Sequence, residues 1–252
     1  MKTEVLFVID GSGSMASKAN DVRGGFNTYV EELRKDKKGD YSLSATVFNT
    51  NVFPLFSQKD LKDVPELSNA NYVPGGGTAL YDAIGAALDE VKDVSTKFCS
   101  VCGTKRNNGH KFCAQCGEKL SNEKSVYLLI IMTDGEENSS KTYRKHHIVQ
   151  KIKDKEAQGN WTVVYLGANQ DAMAEGTAMG IQPGNTLTYQ VTDTKSYYSK
   201  LASATASFGM DVDGGYLTNA SNFAGVTATA TPSGVTQSFV STSTDDTPKT
   251  IR

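Results

Sequence analysis

Two uninterrupted apolar runs, Val5-Leu6-Phe7-Val8-Ile9 and Val126-Tyr127-Leu128-Leu129-Ile130-Ile131-Met132, each give way to a carboxylate and a glycine, Asp10-Gly11 and Thr133-Asp134-Gly135. Neither run alternates with polar residues, so both faces of each strand must be covered. Parallel strands sandwiched between helices have this pattern. The intervening sequence agrees. Residues 18–36 place Val22, Phe26, Tyr29, Val30 and Leu33 at helical spacing, and residues 79–93 do the same with Leu80, Ile84, Leu88 and Val91. Residues 41–48 alternate, Asn49-Thr50-Asn51 turns, and 52–56 returns as the second arm of a hairpin. Beyond the second apolar run follow a polar helix near 141–157, a buried strand at 161–166, a short helix at 171–179, a strand at 186–190 and a helix at 194–207. The expected fold is α/β: a doubly wound, mostly parallel sheet with helices on both faces.

Asp10, Ser12 and Ser14 alternate along a glycine-loosened loop at the end of the first strand, and Thr78 follows Gly75-Gly76-Gly77 at the mouth of a helix. One carboxylate and several hydroxyls suit a hard divalent cation that keeps some of its waters. In doubly wound sheets the binding crevice lies outside the carboxyl ends of the strands, where strand order reverses. The hairpin grows the sheet to one side of the first strand and the 126–132 strand lies on the other, so Asp10 and Asp134 are expected across one crevice. A phosphate loop is the rival reading of Gly75-Gly76-Gly77-Thr78, but its lysine is missing.

Asp-x-Ser-x-Ser, a threonine after glycines, and Thr-Asp-Gly behind an apolar strand together resemble the von Willebrand factor A family and its metal-ion-dependent adhesion site (MIDAS). The resemblance covers residues 1–94 and 123–208. It implies a MIDAS ion, Mg²⁺ or alternatively Mn²⁺ or Ca²⁺, held by Asp10, Ser12, Ser14, Thr78 and Asp134, with the carboxylates binding directly or through water. It also implies a non-enzymatic protein-interaction role in which a partner's acidic side chain fills a vacant coordination position. No nucleophile–base pair or cofactor fingerprint marks a catalytic residue. Asp10, at what reads as an exposed strand end, is expected to tolerate replacement by alanine without loss of fold. Glu136 and Glu137 read as solvated loop acids, with tuning of the ion as the alternative. Adjacent His146 and His147 point in different directions on a helix. Lys141, Arg144, Lys145, Lys151, Lys153 and Lys155 form either a solvated face or a patch for an acidic partner.

All four cysteines fall in one short stretch, in the near-copies Phe98-Cys99-Ser100-Val101-Cys102-Gly103 and Phe112-Cys113-Ala114-Gln115-Cys116-Gly117. Clustering of this kind is unlike a disulfide framework and matches paired tetrathiolate knuckles. The segment resembles a zinc ribbon inserted at residues 95–122, with Zn²⁺ on Cys99, Cys102, Cys113 and Cys116; a rubredoxin-like iron site shares the ligands but lacks its aromatic core here. His110 is left at the surface because four thiolates close the site, and the phenylalanines are expected to shield the metal. So small a module needs metal to fold, and losing the metal should unfold the insert alone. Its basic residues, Lys97, Lys105, Arg106, Lys111 and Lys119 against Glu118, are few enough to favour protein contact over nucleic acid.

Residues 209–252 are rich in Gly, Ser, Thr and Ala, with Phe223, Val226, Phe239 and Val240 as sparse anchors. They read as a flexible Ser/Thr-rich tail or as a docking arm, through which the chain could oligomerise. Removal of residues 211–252 is expected to leave the domain folded, because the strand–helix pattern is complete by Ala206. A net charge of −2 gives no global reason for nucleic-acid or membrane binding. The start of the chain reads as a first strand rather than a signal peptide, so the expected location is cytoplasmic, with a virion as the alternative. The run Tyr165-Leu166-Gly167-Ala168-Asn169-Gln170-Asp171-Ala172 looks like a bacterial and phage branch of A-type proteins. A phage virion or assembly component, and a nucleic-acid-associated scaffold using the ribbon, are the alternative functions. Tellurite-resistance-type proteins and a transcription-repair factor subunit resemble the chain in domain content only.

Overall fold

The computed structural model describes residues 2–91, 99, 101–105, 112–118, 125–167, 172–188, 194–213, 223 and 226. One six-stranded sheet organises them. Its strands are β1 (Lys2–Asp10), β2 (Asp40–Phe48), β3 (Val52–Asp60), β4 (Ser125–Thr133), β5 (Trp161–Gly167) and β6 (Thr186–Thr188), in the order β3-β2-β1-β4-β5-β6. β1 pairs in parallel with both β2 and β4, and only the β2–β3 hairpin is antiparallel. Strand order reverses between β1 and β4, as the two apolar runs require.

Side chains along each central strand divide between two cores. Val5, Phe7 and Ile9 of β1, with Leu128, Ile130 and Met132 of β4, face α1 (Ala19–Lys35) and α5 (Thr194–Asp213). Leu6 and Val8, with Tyr127, Leu129 and Ile131, face α2 (Leu80–Glu90) and α3 (Lys145–Glu156). On the first side Phe7 meets the edges of Phe26 and Tyr29 at 5.2 and 5.0 Å between ring centroids. On the second, Tyr127 stacks on Trp161 at 4.5 Å. The short helix α4 (Ala172–Ala178) precedes β6.

Several elements depart from their expected bounds, among them β3, which runs on from the expected 52–56 to Asp60, and α2, which spans Leu80–Glu90 rather than 79–93. The helix expected over 18–36 begins as a 3-10 turn, Gly13–Lys18, that buries Met15 before α1 proper starts. Helix α3 begins at Lys145 instead of 141, because the N–H groups of Lys141, Thr142 and Tyr143 all donate to the Asp82 carboxylate at 2.8–2.9 Å. A backbone whose donors are turned toward one external acceptor cannot also wind into a helix. Helix α5 runs on past Ala206 to Asp213.

The chain beyond α5 also contributes to the first core. Phe223 is fully buried and Val226 nearly so, and the Phe223 ring lies 6.3 Å from that of Phe208. The expectation that the domain is complete by Ala206 is therefore corrected: Phe223 and Val226, sparse apolar residues in a polar stretch of sequence, take part in the first core. The remainder of the Ser/Thr-rich segment, with Phe239 and Val240, lies outside the described residues, as do Phe98, His110 and Ala168–Asp171. Among the described residues, no helix is long and apolar enough to cross a membrane.

Candidate metal centres

The β1–β4 register that sets Ile9 beside Met132 also brings Asp10 alongside Thr133. Asp10 is completely buried, which corrects its reading as an exposed strand end. Its Oδ1 accepts the Ser12 N–H at 2.7 Å and its Oδ2 accepts the Thr133 hydroxyl at 2.6 Å. The Tyr72 hydroxyl, itself buried, donates to the Asp10 carbonyl at 2.6 Å. Burial first, and the neighbouring Asp134 charge to a smaller degree, push the Asp10 carboxyl above its usual range, while the bonds from Thr133 and Ser12 hold it down.

Around this floor the loops are tied by their backbones. Gly11 N donates to the Phe48 carbonyl, Gly75 N to that of Gly11, and Gly13 N to that of Gly76, at 2.6–3.0 Å. The third loop closes against the second where Asn138 N and Ser139 N reach the Thr78 carbonyl at 3.0 and 3.2 Å. A Cβ on Gly77 would stand 2.2 Å from Ser139 Oγ and 2.9 Å from Asn138 Oδ1, so any side chain there would displace these two. The three segments singled out in the sequence thus converge at one place. Ser12 Oγ and Ser14 Oγ are 3.0 Å apart, and Ser14 donates to Asp134 Oδ1 at 2.6 Å. A Cβ on Gly135 would lie 3.6 Å from both Ser14 Oγ and Thr78 Oγ1, so these two hydroxyls flank the same glycine. Ser12 and Thr78 are buried and Ser14 is exposed, giving a pocket with a buried floor and an open rim.

This donor set fits a small hard cation. An octahedral ion with ligands at about 2.0–2.1 Å has adjacent ligands roughly 3 Å apart. The Ser12–Ser14 separation matches that edge, and every candidate ligand is oxygen.

Several neighbours carry roles that the motifs do not announce. Thr133 holds Asp10, as described, and the Lys18 ammonium forms an ion pair with Asp134 Oδ2. Lys18 stands four residues after Ser14, a spacing that marks it as a neighbour on a helical turn. Glu137 is neither solvated nor placed as a ligand. Its carboxylate accepts the N–H groups of Tyr81, Ser139 and Ser140 and the Ser140 hydroxyl, at 2.6–2.9 Å. Ser140 Oγ in turn accepts from Asp82 N at 3.0 Å. The first turn of α2 lacks a capping side chain of its own and takes its acceptors from this loop. Only an acid arriving from far along the chain could reveal such a cap, and sequence spacing cannot show that. Of the basic residues near α3, Lys151 bonds Asp89 and Lys155 lies 4.7 Å from the Trp161 ring centroid, so part of that face is used internally.

The cysteines form a second centre. Their four Sγ atoms lie within 4.8 Å of one another, with Cys99–Cys116 at 3.6 Å and Cys102–Cys113 at 3.5 Å. These separations exceed a disulfide bond length and approach the ~3.8 Å edge of a tetrahedron with Zn–S bonds near 2.3 Å. The knuckles repeat in detail: Cys99 N bonds the Thr104 carbonyl and Gly103 N that of Cys99, while Cys113 N bonds that of Glu118 and Gly117 N that of Cys113, at 2.7 and 2.9 Å in each. Gly103 and Gly117 have φ of 70° and 74°, the left-handed geometry such turns need. The Cys102 and Val101 N–H groups draw the Cys99 thiol below its ordinary value, and the Thr104 hydroxyl and N–H draw Cys102 down to about 6. Cys116 is pushed up to about 12: the Glu118 N–H favours its thiolate, but desolvation and the three other sulfurs outweigh that bond. Phe112 is 57% exposed and covers less of the cluster than its position suggested.

The sheet order, the switch-point pocket and its cluster of hydroxyls are those of an A-type domain. The von Willebrand factor type A domain model matches residues 4–203, and the chain belongs to that family. Domains of this family are non-catalytic protein-interaction modules, in line with the expectation of a non-enzyme. Among solved structures, proximal thread matrix protein 1 from the mussel byssus is similar at 14% identity and TM-score 0.52, over 80% of this chain and 45% of that one. The chain thus matches less than half of that protein's length. The PilB minor pilin of Streptococcus sanguinis (a D319A mutant) is similar at 11% identity and TM-score 0.52, over 84% of this chain and 62% of that one. Manganese-loaded Plasmodium vivax TRAP protein is similar at 15% identity and TM-score 0.50, over 77% of this chain and 70% of that one. At these identities the likeness is one of fold. No curated protein matches the chain.

Proposed function

We propose that this chain is a metal-ion-dependent adhesion module whose MIDAS holds one divalent cation, Mg²⁺ or Mn²⁺, on Asp10, Ser12, Ser14, Thr78 and Asp134. The observation that carries the reading is the oxygen cluster at the β1–β4 switch point, with the Ser12–Ser14 hydroxyl pair at octahedral spacing. Its counterpart in the fold, the manganese-loaded TRAP protein, supports the same chemistry. When bound, the ion supplies a Lewis-acidic position that accepts a carboxylate oxygen from a partner protein. The chain's own residues do the rest: Thr133 and the Ser12 N–H fix Asp10, Ser14 orients Asp134, and the rim leaves the site open to a partner.

The second part of the reading is a structural Zn²⁺ on Cys99, Cys102, Cys113 and Cys116, in a ribbon inserted at residues 95–122. Four thiolates leave no open position, so the role is architectural. The test of the whole reading is calorimetric titration of Mn²⁺ into the zinc-loaded chain. It is paired with capture of protein partners with and without EDTA. One Mn²⁺ per chain and EDTA-sensitive capture are expected; a chain that binds no Mn²⁺ would overturn it.

A further inference from the structure

Asp134 is engaged at both oxygens: Ser14 donates to Oδ1 at 2.6 Å and the Lys18 ammonium pairs with Oδ2. The carboxylate end of this ion pair is shielded, with 2% of the Asp134 side chain exposed, whereas Lys18 is 24% exposed and reaches in from the rim. Lys18 is carried by the 3-10 turn Gly13–Lys18 that also carries Ser14, so its place is fixed relative to the hydroxyl ligands. Glu137, the other acid near the site with defined partners, is taken up by α2 and loop N–H groups. Among the described residues, the charges that these bonds place at the pocket are two carboxylates, Asp10 and Asp134, and the Lys18 ammonium.

That balance has a consequence for what the site holds. Two carboxylates alone would neutralise a divalent ion, leaving little field for an incoming anion. With Lys18 in place the pocket offers one net negative charge, so the loaded site carries one positive charge in excess. At separations of a few ångströms behind a shielded wall, such a charge acts with little screening. Ser14 is compatible with both neighbours, since its proton lies on Asp134 while its lone pairs remain for an ion.

We propose that Lys18 is a resident counter-cation of the metal site: it weakens capture of the divalent ion and strengthens the loaded site's hold on an anionic group. The inference rests on the metal-site reading above. It makes Lys18 a specificity-determining residue that contacts Asp134 and not the ion.

The test uses the full zinc-loaded chain and its Lys18→Met and Lys18→Arg variants. Mn²⁺ affinity is read by calorimetry, and glutarate affinity is then read on each Mn²⁺-saturated protein. Lys18→Met is expected to bind Mn²⁺ roughly tenfold more tightly and glutarate more weakly, while Lys18→Arg resembles the parent chain. A purely structural role would weaken both. Equal or weaker Mn²⁺ binding by Lys18→Met, or unchanged glutarate binding, would overturn the proposal, and Lys18→Gln serves if the methionine variant melts early. A parent chain that binds no Mn²⁺ overturns this proposal together with the reading beneath it; a parent chain that binds Mn²⁺ beside an indifferent Lys18→Met overturns this proposal alone.

Discussion

The loops that frame Asp10 and the knuckles that carry Cys99 and Cys113 are both glycine turns tied by short backbone bonds, yet they draw their order from different sources. The Asp10 loops sit on the ends of central strands whose side chains fill two large cores. Their geometry is set by the sheet, and the Asp10 carboxylate is held by the Thr133 hydroxyl and the Ser12 N–H while Tyr72 holds its carbonyl. Among the described residues of the cysteine module, only Cys99 and Cys113 form a buried cluster. Two thiols are not a core. On the proposed reading, one fold then carries a metal site that is preformed and another whose metal does the folding.

The largest expected effect breaks the comparison on the cysteine side. Structural zinc contributes on the order of 10–16 kcal/mol to zinc-finger peptides, far more than this module could gain from burial. Stripping the metal, or the double change Cys99→Ser and Cys113→Ser, should abolish amide protection across residues 99–118 and leave that of β1 and β4 intact. Hydrogen exchange read by mass spectrometry checks this. Loss of protection in β4 as well would show that the module and the sheet fold as one unit.

The next effect concerns the first core. Phe223 is fully buried against Phe208, so Phe223→Ala should cost about 3–5 kcal/mol. A chain ending at residue 210 should lose a similar amount, contrary to what the polar composition of the segment suggests. Denaturant unfolding of both variants is the measurement. If neither shifts the midpoint, the segment after α5 belongs outside the domain core.

A smaller loss is expected at the loop that caps α2. Asp82 accepts three N–H groups, from Lys141, Thr142 and Tyr143, and these outweigh the effect of burial to hold its carboxyl below the usual range. Asp82→Asn should cost about 1–2 kcal/mol near neutral pH. Because the folded value is depressed, the contribution is present above the ordinary carboxylate pKa near 3.9 and is lost as pH falls through the folded value. The stability gap between the parent chain and Asp82→Asn should thus close in acid. A gap that stays constant with pH would assign the effect to something other than the carboxylate charge.

Most of the sheet was legible in the sequence because the central strands are runs of apolar residues bounded by turn chemistry; Asp10, Ser12, Ser14 and Asp134 follow the ends of such runs, and Thr78 follows three glycines at the mouth of a helix. Local spacing brought these five into view without any knowledge of their contacts. Glu137 and Asp82 were not legible, since each caps a segment more than fifty residues away and nothing local distinguishes such an acid from a solvated one. The same holds for Phe223, an apolar residue among polar ones whose burial beside Phe208 nothing local announces. Lys18 lay within reach of the pattern, one turn after Ser14, but its meaning depends on Asp134 arriving from β4.

The smallest expected effect on the fold is the sharpest test of the preformed site. Asp10→Ala would strand the Ser12 N–H in a buried pocket, at about 1–3 kcal/mol, and would confuse loss of fold with loss of metal. Asp10→Asn avoids this. Its amide oxygen can keep the Ser12 N–H, and its NH₂ can donate to Thr133 Oγ1, whose own proton has a second acceptor in the Gly135 carbonyl at 3.2 Å. Burial already disfavours the charged form of Asp10, so removing that charge relieves the metal-free protein. The melting temperature of metal-free Asp10→Asn should therefore equal or exceed that of the parent. Mn²⁺ at a hundred times its dissociation constant should stabilise the parent by about 2.7 kcal/mol and leave the variant unchanged. An equal Mn²⁺-dependent rise in both proteins would remove Asp10 from the metal site, and a steep fall in the metal-free variant would mean that the pocket is organised by the charge itself rather than by the sheet.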